Sequence, residues 1–112
     1  MINGFEIQTH ELTGYEQDII VPLVISGLRT KLNKSMAASN KYICSQLNKK
    51  GYKISPPRLR KVINHIRVNG LIVNLLANSQ GYYISNDHEE IDKYVESLRQ
   101  RAREITKIAN TY

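Results

Sequence analysis

The sequence predicts a mainly α-helical chain with one small antiparallel β-hairpin and a long C-terminal helix. Two observations carry this. Four segments join a helix-start signal to apolar residues at helical spacing, whereas only residues 71 to 85 pair two β-rich runs around a turn cluster. The chain has 112 residues, 41% of them hydrophobic. That suits a single domain, with a core over about residues 13–86 and a helix over about 88–109.

The first start signal is Thr13-Gly14-Tyr15-Glu16, a capping-box spacing in which the threonine oxygen and the glutamate carboxylate satisfy each other's backbone N–H groups. Ile20, Leu23, Val24 and Leu28 follow at helical spacing. Pro22 lacks an N–H, so a kink or a later start is expected. Asn33-Lys34-Ser35 reads as a loop, and Met36-Ala37-Ala38 as a short extended segment. Ser39 caps a second helix that carries Ile43, Cys44 and Leu47 on one face and stops at Gly51. After the turn Tyr52-Lys53-Ile54, Ser55-Pro56 restarts the chain with a serine cap and proline at the first helical position. This third helix, Pro56 to about Asn69, puts Leu59, Val62, Ile63 and Ile66 on one face. Its other side carries Pro57, Lys61, Asn64 and Val68, edged by Arg60 and Arg67 and by Arg58 and His65. Leu71 to Ala77 and Tyr82 to Ser85 are read as strands around Asn78-Ser79-Gln80-Gly81, with one of Tyr82 and Tyr83 in the core. Asn86 or Asp87 caps the last helix.

Charge is segregated along the chain. Between residues 19 and 86 there are 11 lysines and arginines and no carboxylate; the acidic residues lie at Glu6, Glu11, Glu16 and Asp18, and again from Asp87 onward. An electropositive body without internal acidic partners gains from meeting a polyanion, because its cations replace the counterions condensed on phosphates. Helix, short extended piece, helix, turn, helix and hairpin is also the order of a winged helix-turn-helix, whose third helix enters the DNA major groove.

The run Arg58-Leu59-Arg60-Lys61-Val62-Ile63-Asn64-His65-Ile66-Arg67-Val68-Asn69-Gly70, with Leu75-Leu76-Ala77 and Gly81-Tyr82-Tyr83 after it, resembles small winged-helix proteins carried by bacteriophages and integrated mobile elements. Ser39-Asn40-Lys41 and Tyr94-Val95-Glu96-Ser97-Leu98-Arg99-Gln100-Arg101 extend the likeness over roughly residues 12 to 108. The resemblance implies a DNA-binding regulator or accessory replication factor. Residues Asn74 to Gly81 carry no lysine or arginine, which departs from winged helices that use a basic wing tip. The same fold also serves as a protein-docking module, the alternative reading of this chain.

Side-chain chemistry assigns the candidate DNA contacts. Lys41, Lys49, Lys50 and Lys53 are placed to meet phosphates, while Arg58, Arg60, Lys61, Asn64 and Arg67 project from the third helix. Arginine bonds guanine O6 and N7, and asparagine bonds adenine N6 and N7, which makes Arg60 and Asn64 the expected base readers. Ile91, Val95, Leu98, Ala102 and Ile105 repeat at steps of four and three, continued by Ala109 and widened by Tyr94 and Ile108. Such a seam suits a two-fold homodimer, and packing on the first helix of the same chain is the competing reading.

Other classes find little support. His10, His65 and His88 have no ligand spacing, and Cys44 reads as a small core residue, so no metal, cofactor or catalytic site is expected. Ile19 to Ile25, interrupted by Pro22, is too short to span a bilayer, and Met1-Ile2-Asn3-Gly4-Phe5-Glu6 lacks the features of a secretory leader. With one cysteine and no internal disulfide, the expected compartment is the cytoplasm.

Overall fold

The structure, a computed structural model, describes residues 11–112. Residues 1–6, where a leader would lie, and His10 are outside them. The described residues contain four α-helices, α1 (Val21–Leu28), α2 (Asn40–Lys49), α3 (Pro56–Val68) and α4 (His88–Ala109), and one antiparallel hairpin, β1 (Leu75–Asn78) with β2 (Gly81–Ile84).

The capping box forms as read. Thr13 N donates to Glu16 Oε1 at 2.9 Å, and Glu16 N donates to Thr13 Oγ1 at 3.1 Å. Regular α-helix starts only at Val21, in keeping with the later start expected of Pro22. A π-helical turn over Glu16–Ile20 leads straight into α1, with Val21 N donating to Glu16 O and Pro22 in the first turn of α1. Pro22 thus sits in the first turn of α1, where a missing N–H costs little.

Ser39 caps α2 through Tyr42 N at 3.0 Å, and Ser55 caps α3 through Arg58 N at 3.4 Å. Both helices end on a left-handed glycine, Gly51 with φ 91° and Gly70 with φ 63°. In each case the following N–H turns back to the helix, from Tyr52 to Leu47 O and from Leu71 to Ile66 O, which satisfies carbonyls that α-helical bonding leaves open. Ile20, Val24, Leu28, Leu59, Val62, Ile63 and Ile66 form the centre of the core, joined by Cys44 and Leu47 from α2. Cys44 occupies the core position expected of it.

Two extended expectations are corrected. Leu71 to Asn74 is not strand: Ile72 turns into the core, Leu71 and Val73 face outward, and Asn74 adopts φ 61°. Burying one side chain against the helices overrides the β propensity of the run, and pairing begins only at Leu75. Residues 34–36 form a 3₁₀ turn capped by Asn33, so the expected Met36–Ala38 segment shrinks to the bridge between Ala38 and Tyr82, with both N···O distances 2.9 Å. Tyr83 is buried, and Tyr82 is half-buried at the edge of the core.

Asp87 caps α4 through Glu89 N and Glu90 N. Its first turn is locked to the hairpin: the Glu90 carboxylate accepts from Tyr83 Oη at 2.8 Å and Ser85 Oγ at 2.6 Å, with Lys34 Nζ 3.4 Å away. Burial first, and then the bond to Glu90, push the Tyr83 phenol up to about 12.

The hairpin depends on Gly81. Its φ is 136°, and a Cβ there would stand 2.3 Å from the carbonyl carbon and oxygen of Ala38. Only glycine lets the two backbones approach so closely. Gly81→Ala is therefore expected to cost at least about 2 kcal/mol, lowering the melting temperature by roughly 8 °C or more in a thermal melt. Gln80→Ala in the same turn should leave it unchanged.

Candidate nucleic-acid interface

Helix α3 separates its two faces cleanly. Leu59, Val62, Ile63 and Ile66 are at most 2% exposed, so the register of the helix is fixed by the core. Every residue on the far side is then aimed outward. Pro57, Arg60, Lys61, Asn64, His65, Val68 and Asn69 line one open concave surface, with Arg60 and Asn64 exposed and Lys61 half-buried. Hydrogen bonds from α2 and its turn steady this helix: Asn40 Nδ2 donates to Pro56 O at 3.1 Å, and Ile54 N donates to Asn48 Oδ1 at 3.1 Å.

The other candidate cations are dispersed. Lys41 and Lys49 are exposed on α2. Lys50 lines the apolar groove between α1 and α2 together with Lys31, whose ammonium lies 5.6 Å from the ring centre of Tyr42. Lys53 borders a third hollow with Tyr15 and Glu16, and its carbonyl accepts from Tyr15 Oη. Arg67 points to α4, where its guanidinium donates to Tyr94 Oη and lies 5.9 Å from the centre of the same ring.

Arg58 has a different occupation. It donates through Nε to Glu16 Oε2 at 2.7 Å, through one terminal nitrogen to Glu16 Oε1 at 2.5 Å, and to Glu11 O at 3.1 Å. The expectation of a basic body without internal acidic partners is corrected here and at Lys34 with Glu90. Acidic residues from the flanks fold back onto the body, which linear charge counting does not see. The Arg58 bond holds the Glu16 carboxyl below the usual glutamate range against the opposing effect of burial, and raises the guanidinium in return.

Two members of the α3 surface were missing from the candidate set. Asn69 Nδ2 donates to His65 O at 2.8 Å and lies 3.3 Å from His65 Nδ1, so the pair presents a polar cluster at the C-terminal end of the ridge. The spacing of four residues between them was the available signal.

The α4 seam divides in two. Ile91, Tyr94 and Val95 are half-buried against the body, whereas Leu98 is 38% and Ile105 66% exposed, and Ala102 is exposed as well. Nothing in α4 is fully buried. Among the described residues, no helix is long and apolar enough to cross a membrane, and no group of three or more His, Cys, Asp or Glu could hold a metal ion.

No protein-family model, no curated protein and no solved structure matches this chain.

The Glu16 pair has a defined pH signature. Because the carboxyl is held low in the folded chain, its contribution is present above the unfolded value, about 4.3, and is lost as pH falls through the folded value. Glu16→Gln should cost about 2 kcal/mol at neutral pH, moderated by the partial exposure of Arg58. Denaturant titrations from pH 7 to pH 3 should show a shallower acid-side loss in the variant than in the parent chain.

Proposed function

We propose that this chain is a winged helix-turn-helix protein that binds double-stranded DNA, with α3 in the major groove and the hairpin as its wing. The observation that carries the reading is the α3 surface. A helix locked by four core residues turns Arg60, Lys61 and Asn64 onto one open face, the side-chain set that reads base edges. Lys41 and Lys49 on α2 suit the flanking phosphates. Arg58 serves the architecture of α3 through Glu16, and Arg67 braces α4, so base reading falls to Arg60 and Asn64. The resemblance to phage and mobile-element proteins supports a regulator or accessory replication factor. A two-fold homodimer joined through Ile91, Val95, Leu98, Ala102 and Ile105 would present two α3 helices to a pseudo-palindromic site.

Selection of bound sequences from a random duplex pool tests the reading and yields the site. Affinity for the selected site should fall steeply with salt, with a slope corresponding to about five to eight phosphate contacts. Asn64→Ala should cost ~1 to 3 kcal/mol at one base position and relax the preference there, whereas Lys49→Ala should weaken all sequences alike. Failure to bind duplex DNA at low salt would overturn the proposal and favour the protein-docking alternative.

A further inference from the structure

The outer half of α4 carries an apolar stripe that its own chain does not cover. Helix α4 has 22 residues, and its first half lies beside the end of α3 and β1. There, Ile72, Leu75, Ile91, Val95 and Leu98 line an open trough whose α3 rim is Asn64, Arg67 and Val68. Beyond Leu98 the helix leaves the body: every residue from 99 to 109 is exposed, including Ile105 and Ile108. The trough and the bare stripe are parts of the same seam, at opposite ends of one helix.

Charge on α4 is divided in the same way. Residues 88–98 carry Glu89, Glu90, Asp92 and Glu96 against Lys93; residues 99–109 carry Arg99, Arg101, Arg103 and Lys107 against Glu104. The inner half is acidic and the outer half basic, in equal measure. Arg103 also reaches Glu96 within the helix at 2.9 Å, but both side chains remain more than 60% exposed.

We infer that the occupant of the trough is the outer half of α4 from a second copy of this chain, with the two helices antiparallel. The inference rests on the two-fold dimer proposed above and specifies its geometry. Antiparallel pairing sets each acidic half beside the partner's basic half. Parallel pairing sets acid on acid and base on base, which disfavours it. The midpoint of α4 falls beside Leu98. A two-fold axis between residues 98 and 99 aligns Val95 with the partner's Ala102 and Ile91 with the partner's Thr106, one residue from Ile105, so that the bare stripe of each chain fills the trough of the other. Because the exchange is reciprocal, the contact closes as a dimer and does not propagate.

The test uses the full chain without DNA. Sedimentation at tens of micromolar should give a dimer. A spin label on Thr111→Cys should give a dipolar distance of about 40 Å between copies, against less than about 20 Å for a parallel pair. Cys44 is buried, which leaves the introduced thiol as the labelling site. Ile105→Asp lies on the exposed half and should give a helical, folded monomer by sedimentation and circular dichroism. Asp92→Lys with Glu96→Lys in one chain, and Arg99→Glu with Arg101→Glu and Arg103→Glu in another, should each be monomeric alone and form a dimer when mixed. A monomeric parent chain, a short label distance, or an Ile105→Asp chain that stays dimeric would overturn the inference. Arg60→Ala with Lys49→Ala, both outside the trough, should abolish DNA selection while leaving the dimer intact, so failure of the DNA reading and failure of this pairing are told apart.

Discussion

The arrangement of this molecule depends most on one carboxylate, that of Glu16. It completes the capping box with Thr13 and accepts two hydrogen bonds from Arg58, 42 residues further along the chain. At 5% exposure it has given up most of its water, and three donors at 2.9 Å or less replace that hydration. An ion pair of this kind adds little net stability over an apolar pair of the same shape, but it punishes misalignment, since a shift leaves a buried charge unpaired. Its effect is to fix where the first turn of α3 sits against the segment leading into α1. The outward aim of Arg60 and Asn64 follows from that placement together with the core face of α3.

The helices were legible because their signals are local. Thr13 with Glu16, Ser39, Ser55 and Asp87 each cap the helix they were read to cap, since a cap needs only a side chain and the N–H groups two or three residues on. The residues in the hairpin were less legible. Leu71-Ile72-Val73 has strand composition, yet Ile72 gains more from the core than from pairing, and neighbours distant in sequence made that choice. Of the candidate site, the α3 ridge was readable from periodicity alone. The engagement of Arg58 by Glu16 and of Arg67 by Tyr94 was not, because each partner approaches from another element, and a helical wheel shows which way a side chain points without showing what it meets.

The hairpin connects the two ends of the molecule. Through Gly81 it lets Ala38 approach Tyr82, which ties the start of α2 to β2, and Ile84 N donates to Lys31 O just after α1. Through Tyr83 and Ser85 it holds Glu90 and so sets the direction in which α4 leaves the body. The same few residues therefore relate the helix proposed to read DNA to the helix proposed to join two copies. In a dimer, the spacing between the two α3 helices becomes a property of these contacts, not of a flexible connection.

Salt acts differently on the two proposed interfaces, and this makes them separable in principle. Counterion release from DNA is a mass-action effect, so phosphate binding weakens continuously as salt rises. Exposed charges flanking the α4 seam are screened once salt shortens the Debye length to a few ångströms, after which added salt changes them little. The apolar seam of Val95, Leu98, Ala102 and Ile105 is not screened at all, and excluded salts strengthen its burial. The basic outer half of α4 bears on both interfaces. Where its arginines face the acidic half of a second chain, they are withdrawn from phosphate, and the salt slope for DNA counts the cations of α2 and α3 instead.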